Sequence, residues 1–327
     1  MNYRKLGRSG LKVSELSLGS WLTFGKQIDD SVSESLMKLA YDNGVNFFDN
    51  AEIYARGQSE LVMGRILKKM GWRRSSYVVS SKAFFGDGNK LPNETGLSRK
   101  HLTEACHAAL KRLQVDYLDL FFCHRPDKET PILETVRTMN TLIEQGKILY
   151  WGTSEWSTQE IMEAHVCAEK YHLIGPTMEQ PQYNMFHRTK MELDFLYIFK
   201  NIGLGTTIWS PLASGVLTNK YIGDLPKNTR LDMPGLEWLR DSSLQQDRLE
   251  KIVLLNNIAL ELNTSLAKLA IAWCLRNQNV STVILGASKT SQLEETLTSS
   301  QVVDQLSDDI MHQIDEILGN KPVQPAF

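Results

Sequence analysis

An acid, a phenol, an ammonium and an imidazole stand at or just beyond the ends of apolar runs within the first 124 residues: Asp49, Tyr54, Lys82 and His124. The runs read Val45-Asn46-Phe47-Phe48-Asp49, Tyr77-Val78-Val79-Ser80-Ser81-Lys82 and Tyr117-Leu118-Asp119-Leu120-Phe121-Phe122-Cys123-His124, with Tyr54 in a loop after the first. Together they form a proton-donating set suited to carbonyl reduction. A phenol is a poor acid at neutral pH, with an unperturbed pKa of about 10. A neighbouring ammonium favours the phenolate and lowers that value, so Lys82 is expected to lower the pKa of Tyr54 while Asp49 keeps Lys82 charged and aimed. His124 would hydrogen-bond the substrate oxygen and set its orientation. Such a general-acid step is typically worth ~10²–10⁴-fold in rate. Singly, each residue has a plainer role: a turn cap at Asp49, a solvated strand-end Lys82, a turn residue at His124. Their coincidence at successive strand ends carries the reading, because (β/α)8 barrels build active sites there.

The elements that must position them are strands alternating with amphipathic helices. Strand-like runs cover 16–19, 45–49, 77–82, 117–124, 149–154, 176–180, 205–210 and 280–286. Helical periodicity covers 31–43, 58–70, 98–113, 131–146, 157–171, 189–201, 247–262, 264–277 and 290–299. This alternation implies parallel βα units. A doubly wound dinucleotide fold would need a G-x-G-x-x-G turn. The only G-x-G triplets, Gly86-Asp87-Gly88 and Gly203-Leu204-Gly205, lack the third glycine. The expected fold is therefore α/β, a (β/α)8 TIM barrel preceded by a β-hairpin over 3–13. A long loop after strand 7, 211–247, carries Lys220, Arg230, Gly215, Gly223, Pro226, Pro234 and Gly235, and loops of that length are usually functional. The tail, 320–327, is expected to lie loosely on the surface.

Bulk composition narrows the function. A chain of 327 residues suits one barrel domain, and a net charge of −2 lacks the basic footprint of a nucleic-acid binder. Cys106, Cys123, Cys167 and Cys274 are too dispersed for a disulfide framework or a zinc site, so no metal is expected and a reducing compartment fits. No secretory h-region and no spanning apolar stretch is visible, which gives a cytoplasmic expectation.

Further runs identify a family. They are residues 5–14, 96–101, 269–277, 286–288 and 317–322, together with four longer signatures. Those are Asn46-Phe47-Phe48-Asp49-Asn50-Ala51-Glu52-Ile53-Tyr54, Trp151-Gly152-Thr153-Ser154-Glu155-Trp156-Ser157, Glu179-Gln180-Pro181-Gln182-Tyr183-Asn184 and Trp209-Ser210-Pro211-Leu212-Ala213-Ser214-Gly215. Across essentially its whole length the chain resembles the aldo-keto reductase superfamily, in the branch of potassium-channel β-subunits and their bacterial and plant relatives. The resemblance implies an NADPH/NADP+-dependent reductase of a small-molecule aldehyde or ketone, with hydride passing from nicotinamide C4 to the carbonyl carbon. Tyr54 would be the acid, Lys82 and Asp49 would tune it, and His124 would orient the substrate. Ser154 and Gln180 would hold the carboxamide, Trp209 would stack on the nicotinamide, and Ser20, Trp21 and Gln27 would border the same end. Ser210, Pro211, Leu212, Ala213, Ser214, Lys220 and Arg230 would cover the pyrophosphate and adenosine.

The segment opening at Gly286 has a physical reading of its own. A strand end, a glycine turn and a hydroxyl-rich helix start present free N–H groups to an anion. Ser288 and Gln292, with Arg230 reaching over, would suit a 2′-phosphate, an ordinary serine N-cap being the plainer reading; Glu295 on the same helix is a further expected cofactor contact. Mammalian channel subunits carry Asn where this chain has His124, which favours catalysis here. Glu155, Thr296 and Asn228 also depart, from Arg, Asn and a tyrosine of the cofactor belt. A second function stays open, a binding subunit that uses NADP(H) as a redox readout for a potassium channel. The resemblance also implies a homo-oligomer, a tetramer.

Overall fold

The structure is a computed structural model describing residues 1–324 apart from Lys90, Asp224, Leu225, Asn228 and Pro234. Asn228, Pro234 and the last three residues of the tail thus lie outside the described residues. Two short strands, β1 (Tyr3–Lys5) and β2 (Lys12–Ser14), pair antiparallel as the expected hairpin. Eight more follow: β3 (Leu16–Gly19), β4 (Phe47–Asp49), β5 (Val78–Ala83), β6 (Leu118–Cys123), β7 (Ile148–Ser154), β8 (Met178–Gln180), β9 (Gly205–Ile208) and β10 (Thr282–Leu285). Each pairs in parallel with the next, and β10 returns to β3, closing a (β/α)8 TIM barrel. Most of these strands are buried on both faces, the mark of a parallel sheet covered by helices.

Alternation along the strands divides the core. Phe47, Val78, Leu120, Phe122, Met178 and Ile284 form one cluster with Leu6 and Val13 of the hairpin. Their sequence neighbours Phe48, Val79 and Phe121 pack in the larger cluster with the helices. The hairpin therefore plugs one end of the barrel. Its seat is tight: a side chain at Gly7 would meet the Gly203 carbonyl oxygen at 2.3 Å, and Gly7 has φ +59°. With that end plugged, the other is left for chemistry.

The intervening helices follow the strands in turn, and some of them start at capping side chains. They include α1 (Asp30–Asp42), capped by Asp29, α2 (Gln58–Met70), α3 (Arg99–Leu113), capped by Ser98, and α4 (Ile132–Glu144). In α5 (Thr158–Lys170), Ser157 and Glu160 form a reciprocal capping box. The sixth helical pattern, expected over 189–201, divides into a π-turn at Lys190–Asp194 and α6 (Leu196–Asn201). Such π-turns are frequent at functional sites, and this one carries Lys190, which pairs with Glu155 just beyond β7.

The segment after β9 is less irregular than its glycines and prolines suggest. It holds 3-10 turns at Ala213–Thr218 and Arg230–Asp232 and a helix, α7 (Glu237–Ser243). Helices α8 (Gln246–Glu261), α9 (Leu266–Arg276) and α10 (Thr290–Leu297) follow. The sequence reading placed no element beyond 299, yet α11 (Asp308–Leu318) starts at a Ser307 cap. Ile314 and Leu318 on its apolar stripe are fully buried. Arg188 ties α11 down through Asp315 at 2.6 Å. Nor does the described tail lie loose: Asn320 Nδ2 donates to the Met185 carbonyl at 2.9 Å and Lys321 pairs with Asp315 at 2.8 Å. No single helix among the described residues is long and apolar enough to cross a membrane.

Candidate active site

The four proton-handling residues meet at the C-terminal ends of β4, β5 and β6. Gly19 pairs with Asp49 in register and Lys82 with Phe122, which sets Asp49 and Lys82 at neighbouring strand ends. Lys82 is fully buried. Its Nζ donates to Asp49 Oδ2 at 2.6 Å, to the Asn50 carbonyl at 2.7 Å and to the Tyr54 hydroxyl at 3.3 Å. All three of its donors are used. Asp49 Oδ1 accepts from Ser80 Oγ at 2.7 Å and Gln180 Nε2 at 3.2 Å. His124 meets the Tyr54 ring edge-on, centroids 5.9 Å apart, and its buried Nδ1 has no hydrogen-bond partner.

One electrostatic expectation is overturned. Burial, and then the Asp49 carboxylate, raise Tyr54 well above the ordinary phenol value, with only Arg125 pulling it down. Lys82 does not lower Tyr54 below its usual range because its charge is committed to Asp49. Lys82 itself sits below the usual lysine value, burial outweighing Asp49. Burial, with Lys82 and Arg125 nearby, drives His124 well below the usual imidazole value. The group thus holds a neutral phenol and a neutral imidazole around a buried ion pair, which is the protonation state a proton donor needs.

Beyond the tetrad, Ser154 and Gln180 sit side by side in register, Ser154 Oγ donating to the Gln180 carbonyl at 3.0 Å. Trp209 faces Trp21 edge-on at 6.4 Å. Its indole N–H donates at 3.0 Å to Glu155, whose other oxygen pairs with Lys190 at 2.7 Å. Glu155, Ser210, Ala213 and Ser214 all have φ between +46° and +61°. Left-handed conformations cost non-glycine residues of order 1–3 kcal/mol each and gather at functional sites. Asn184 Nδ2 donates to the Ser210 carbonyl at 2.9 Å and so holds that bend.

Arg230 lies over the Trp21 ring at 5.3 Å, and Lys220 is close enough to feel the Arg230 charge. Neither cation has an ion-pair partner among the described residues. Burial lowers both below their usual values. Two cations side by side without a counter-ion make a receptor for a multiply charged anion. Ser288 donates its N–H and hydroxyl to Gln292 Oε1 at 3.0 and 3.2 Å.

One groove of about 1200 Å³ runs from the tetrad to α10. Trp21, Gln27, Asp49, Tyr54, His124, Ser154, Gln180 and Trp209 line it at the strand ends. Ser210, Pro211, Leu212, Ser214, Lys220, Arg230, Gly286, Ser288, Gln292 and Glu295 continue it. Lys82 lies beneath the floor. Ser20 and Ala213 are not brought to its wall: Ser20 is fully buried and donates to the Asp49 carbonyl at 3.0 Å. The sequence reading missed Phe85 and, as a cavity residue, Arg125; both border His124. Their only signal was adjacency to the tetrad.

Glu179, next to Gln180, faces the opposite way and is fully buried, with Thr153 Oγ1 donating to one oxygen and the other unpartnered. Burial pushes its carboxyl up to about 8. The folded state therefore holds a proton that the unfolded chain has lost, and stability falls as pH rises from about 4.5 towards 8. Glu179→Gln, which mimics the protonated form, is expected to match the wild type near pH ~5 and to melt higher above pH ~8. Equal melting temperatures across that range would show that Glu179 ionises freely in the fold.

A closed parallel barrel with this ion pair, phenol and imidazole at its C-terminal mouth defines an oxidoreductase of the barrel type. The chain belongs to the Aldo/keto reductase family, whose model matches residues 15–319, and members act on small-molecule carbonyl compounds. Among its relatives, an Arabidopsis thaliana protein named "Probable voltage-gated potassium channel subunit beta" is 50% identical over 326 residues, 99% of each chain. A protein of the same name from Oryza sativa subsp. japonica is 50% identical over 323 residues, 98% of each.

Proposed function

We propose that this chain is a single-domain, NADPH-dependent reductase of aldehydes and reactive carbonyls with Tyr54 as general acid. The observation that carries the reading is the cavity-facing neutral phenol of Tyr54, hydrogen-bonded at 3.3 Å to a lysine whose charge Asp49 balances. When bound, NADPH would supply the hydride. The chain's own residues do the rest. His124, neutral and with an unspent ring nitrogen, holds the carbonyl oxygen. Tyr54 donates its proton to that oxygen as negative charge develops, and Lys82 then stabilises the phenolate left behind. Ser154 and Gln180 would hold the carboxamide and Trp209 the nicotinamide face.

The residues present fit the cofactor. The groove exceeds the ~300–1,000 Å³ usual for small ligands, which suits a dinucleotide with room for a substrate. The uncompensated pair Lys220 and Arg230 fits its phosphates, with Ser288 and Gln292 beside them. Arg230→Met is expected to weaken NADPH binding about 10–100-fold, the worth of a charge-assisted hydrogen bond, and to weaken NADH less. Tryptophan fluorescence titration reads both; equal losses would move the extra phosphate elsewhere.

The relatives' names favour a second reading, a β-subunit of a potassium channel; in that reading NADP(H) would serve as a redox readout, and the protein would be a cytoplasmic homotetramer. Multi-turnover loss of reduced-nicotinamide absorbance with a panel of small aldehydes decides between them. Sustained turnover supports the reductase. Stoichiometric cofactor binding with negligible turnover would favour the sensor, and light scattering showing a monomer would remove the tetramer.

A further inference from the structure

We infer that Arg125 makes this site selective for carbonyl substrates that carry a carboxylate, with its guanidinium receiving that group beside Tyr54 and His124. The inference rests on the reductase reading and adds the class of substrate. Arg125 lines the cavity next to the tetrad. Its guanidinium lies over the Phe85 ring at 5.6 Å, and Phe85 in turn meets His124 edge-on at 5.2 Å. One nitrogen, Nη1, is spent on the His124 carbonyl and on Ser154 Oγ at 3.3 Å. Nε and Nη2 have no hydrogen-bond partner among the described residues. An arginine with one edge anchored and a free fork is shaped for bidentate capture of a carboxylate.

What makes the charge available is the fate of the acids around it. Asp49 is committed to Lys82, Ser80 and Gln180. Glu52 takes the Phe84 and Gly86 amides, each at 2.8 Å, and His101 Nε2 at 3.2 Å, which fixes the loop that presents Phe85. Asp127, only two residues away, turns to the Leu97 amide at 2.8 Å and Thr130 Oγ1 at 2.7 Å. Glu155 serves Trp209, the Gln182 amide and Lys190. Lys82 is neutralised by Asp49 and burial keeps His124 neutral, so among the described residues Arg125 is the cation at the substrate end without an ion-pair partner. Trp21, Tyr54, Phe85 and Trp209 supply aromatic surface to the same cavity. A neutral aldehyde would leave the free fork unpaired; an acidic one would satisfy it.

The test compares kcat/KM for 4-carboxybenzaldehyde and its neutral isostere 4-formylbenzamide, and for succinic semialdehyde and its methyl ester. It uses the full chain and the variants Arg125→Met and Arg125→Gln. The Gln variant keeps a donor within reach of the His124 carbonyl should the Met variant fold poorly. The acid-to-neutral ratio is expected to fall about 10–100-fold in both variants, whatever the change in overall rate. An unchanged ratio overturns the inference. So does a loss confined to NADPH affinity, read by tryptophan quenching, which would assign Arg125 to the cofactor through Ser154. Should the wild type turn over no aldehyde, the reductase reading fails separately. Binding of benzoate against benzamide to the NADP+-loaded protein then decides the matter: preference for benzoate lost in the variants supports the inference, and equal binding overturns it.

Discussion

Tyr54→Phe is expected to lower kcat by roughly 10²–10⁴-fold, the usual worth of a positioned general acid, while leaving the NADPH dissociation constant within about threefold (~0.6 kcal/mol). The substitution removes one oxygen and little else. The ring keeps its edge contact with His124 and its place under the Lys82 ammonium, 4.9 Å from the centroid. Lys82 keeps its two shorter bonds, to Asp49 and to the Asn50 carbonyl. Structural loss is therefore small, and a fall in rate with unchanged cofactor binding isolates the proton. The pH profile should follow from the same geometry. Burial and Asp49 hold Tyr54 above the ordinary phenol value, so the acid form persists through neutral and mildly alkaline pH. His124, held well below the usual imidazole range, stays neutral on the acid side. The expected profile is a plateau across neutrality with an alkaline limb that Tyr54→Phe removes. Wild-type turnover in the Phe variant would take the acid away from Tyr54 and leave His124 as the nearest alternative.

Sequence reached the barrel because strand ends and helix periods are local signals. The eight apolar runs, and the polar residue closing several of them, are read within five or six neighbours. The strand-end rule then placed Asp49, Lys82 and His124 on one face. What it could not supply was how charges sum in space. Lys82 near Tyr54 suggested a lowered phenol pKa; the fold spends that ammonium on Asp49 at 2.6 Å, and burial reverses the sign. Arg125, with Asp127, reads in sequence as a residue that shapes the loop after His124. Only the three-dimensional turn of Asp127 towards Leu97 leaves it uncompensated. Ser20 failed for a related reason. Its place after the first barrel strand is right for a cavity residue, but its hydroxyl turns under the strand to the Asp49 carbonyl. The segment after β9 was dense in glycine and proline, which masked the short α7, and the missed α11 carries its signal in an apolar stripe that a Ser307 cap introduces.

Asp49→Asn is expected to cost about 3–5 kcal/mol of stability, the loss usual when one partner of a buried ion pair is removed. Lys82 is fully buried and keeps only two neutral acceptors once the carboxylate is gone. The new amide would also point a donor at an ammonium. Asp49 is the main influence raising Lys82 against burial, so its removal drives the lysine further below its unfolded value. The sign of the pH dependence follows. Between the depressed folded value and the ordinary value near ~10.4, the unfolded chain binds the extra proton, and stability rises with pH. The deficit of Asp49→Asn should therefore be largest at acid and neutral pH and shrink towards pH ~10. Adding Lys82→Met to Asp49→Leu removes both charges, and apolar replacement of a buried pair is often close to neutral. Here recovery should be partial, because Ser80, Gln180 and the Asn50 carbonyl lose their partners. A coupling energy of up to ~3 kcal/mol between the two sites is expected in urea unfolding. Asp49→Asn, Asp49→Leu, Lys82→Met and the double variant should all be inactive, since each strips the support from Tyr54. Strict additivity would mean that the two side chains contribute independently, and that the 2.6 Å contact between them supplies neither stability nor the electrostatic balance on which the acid role of Tyr54 depends.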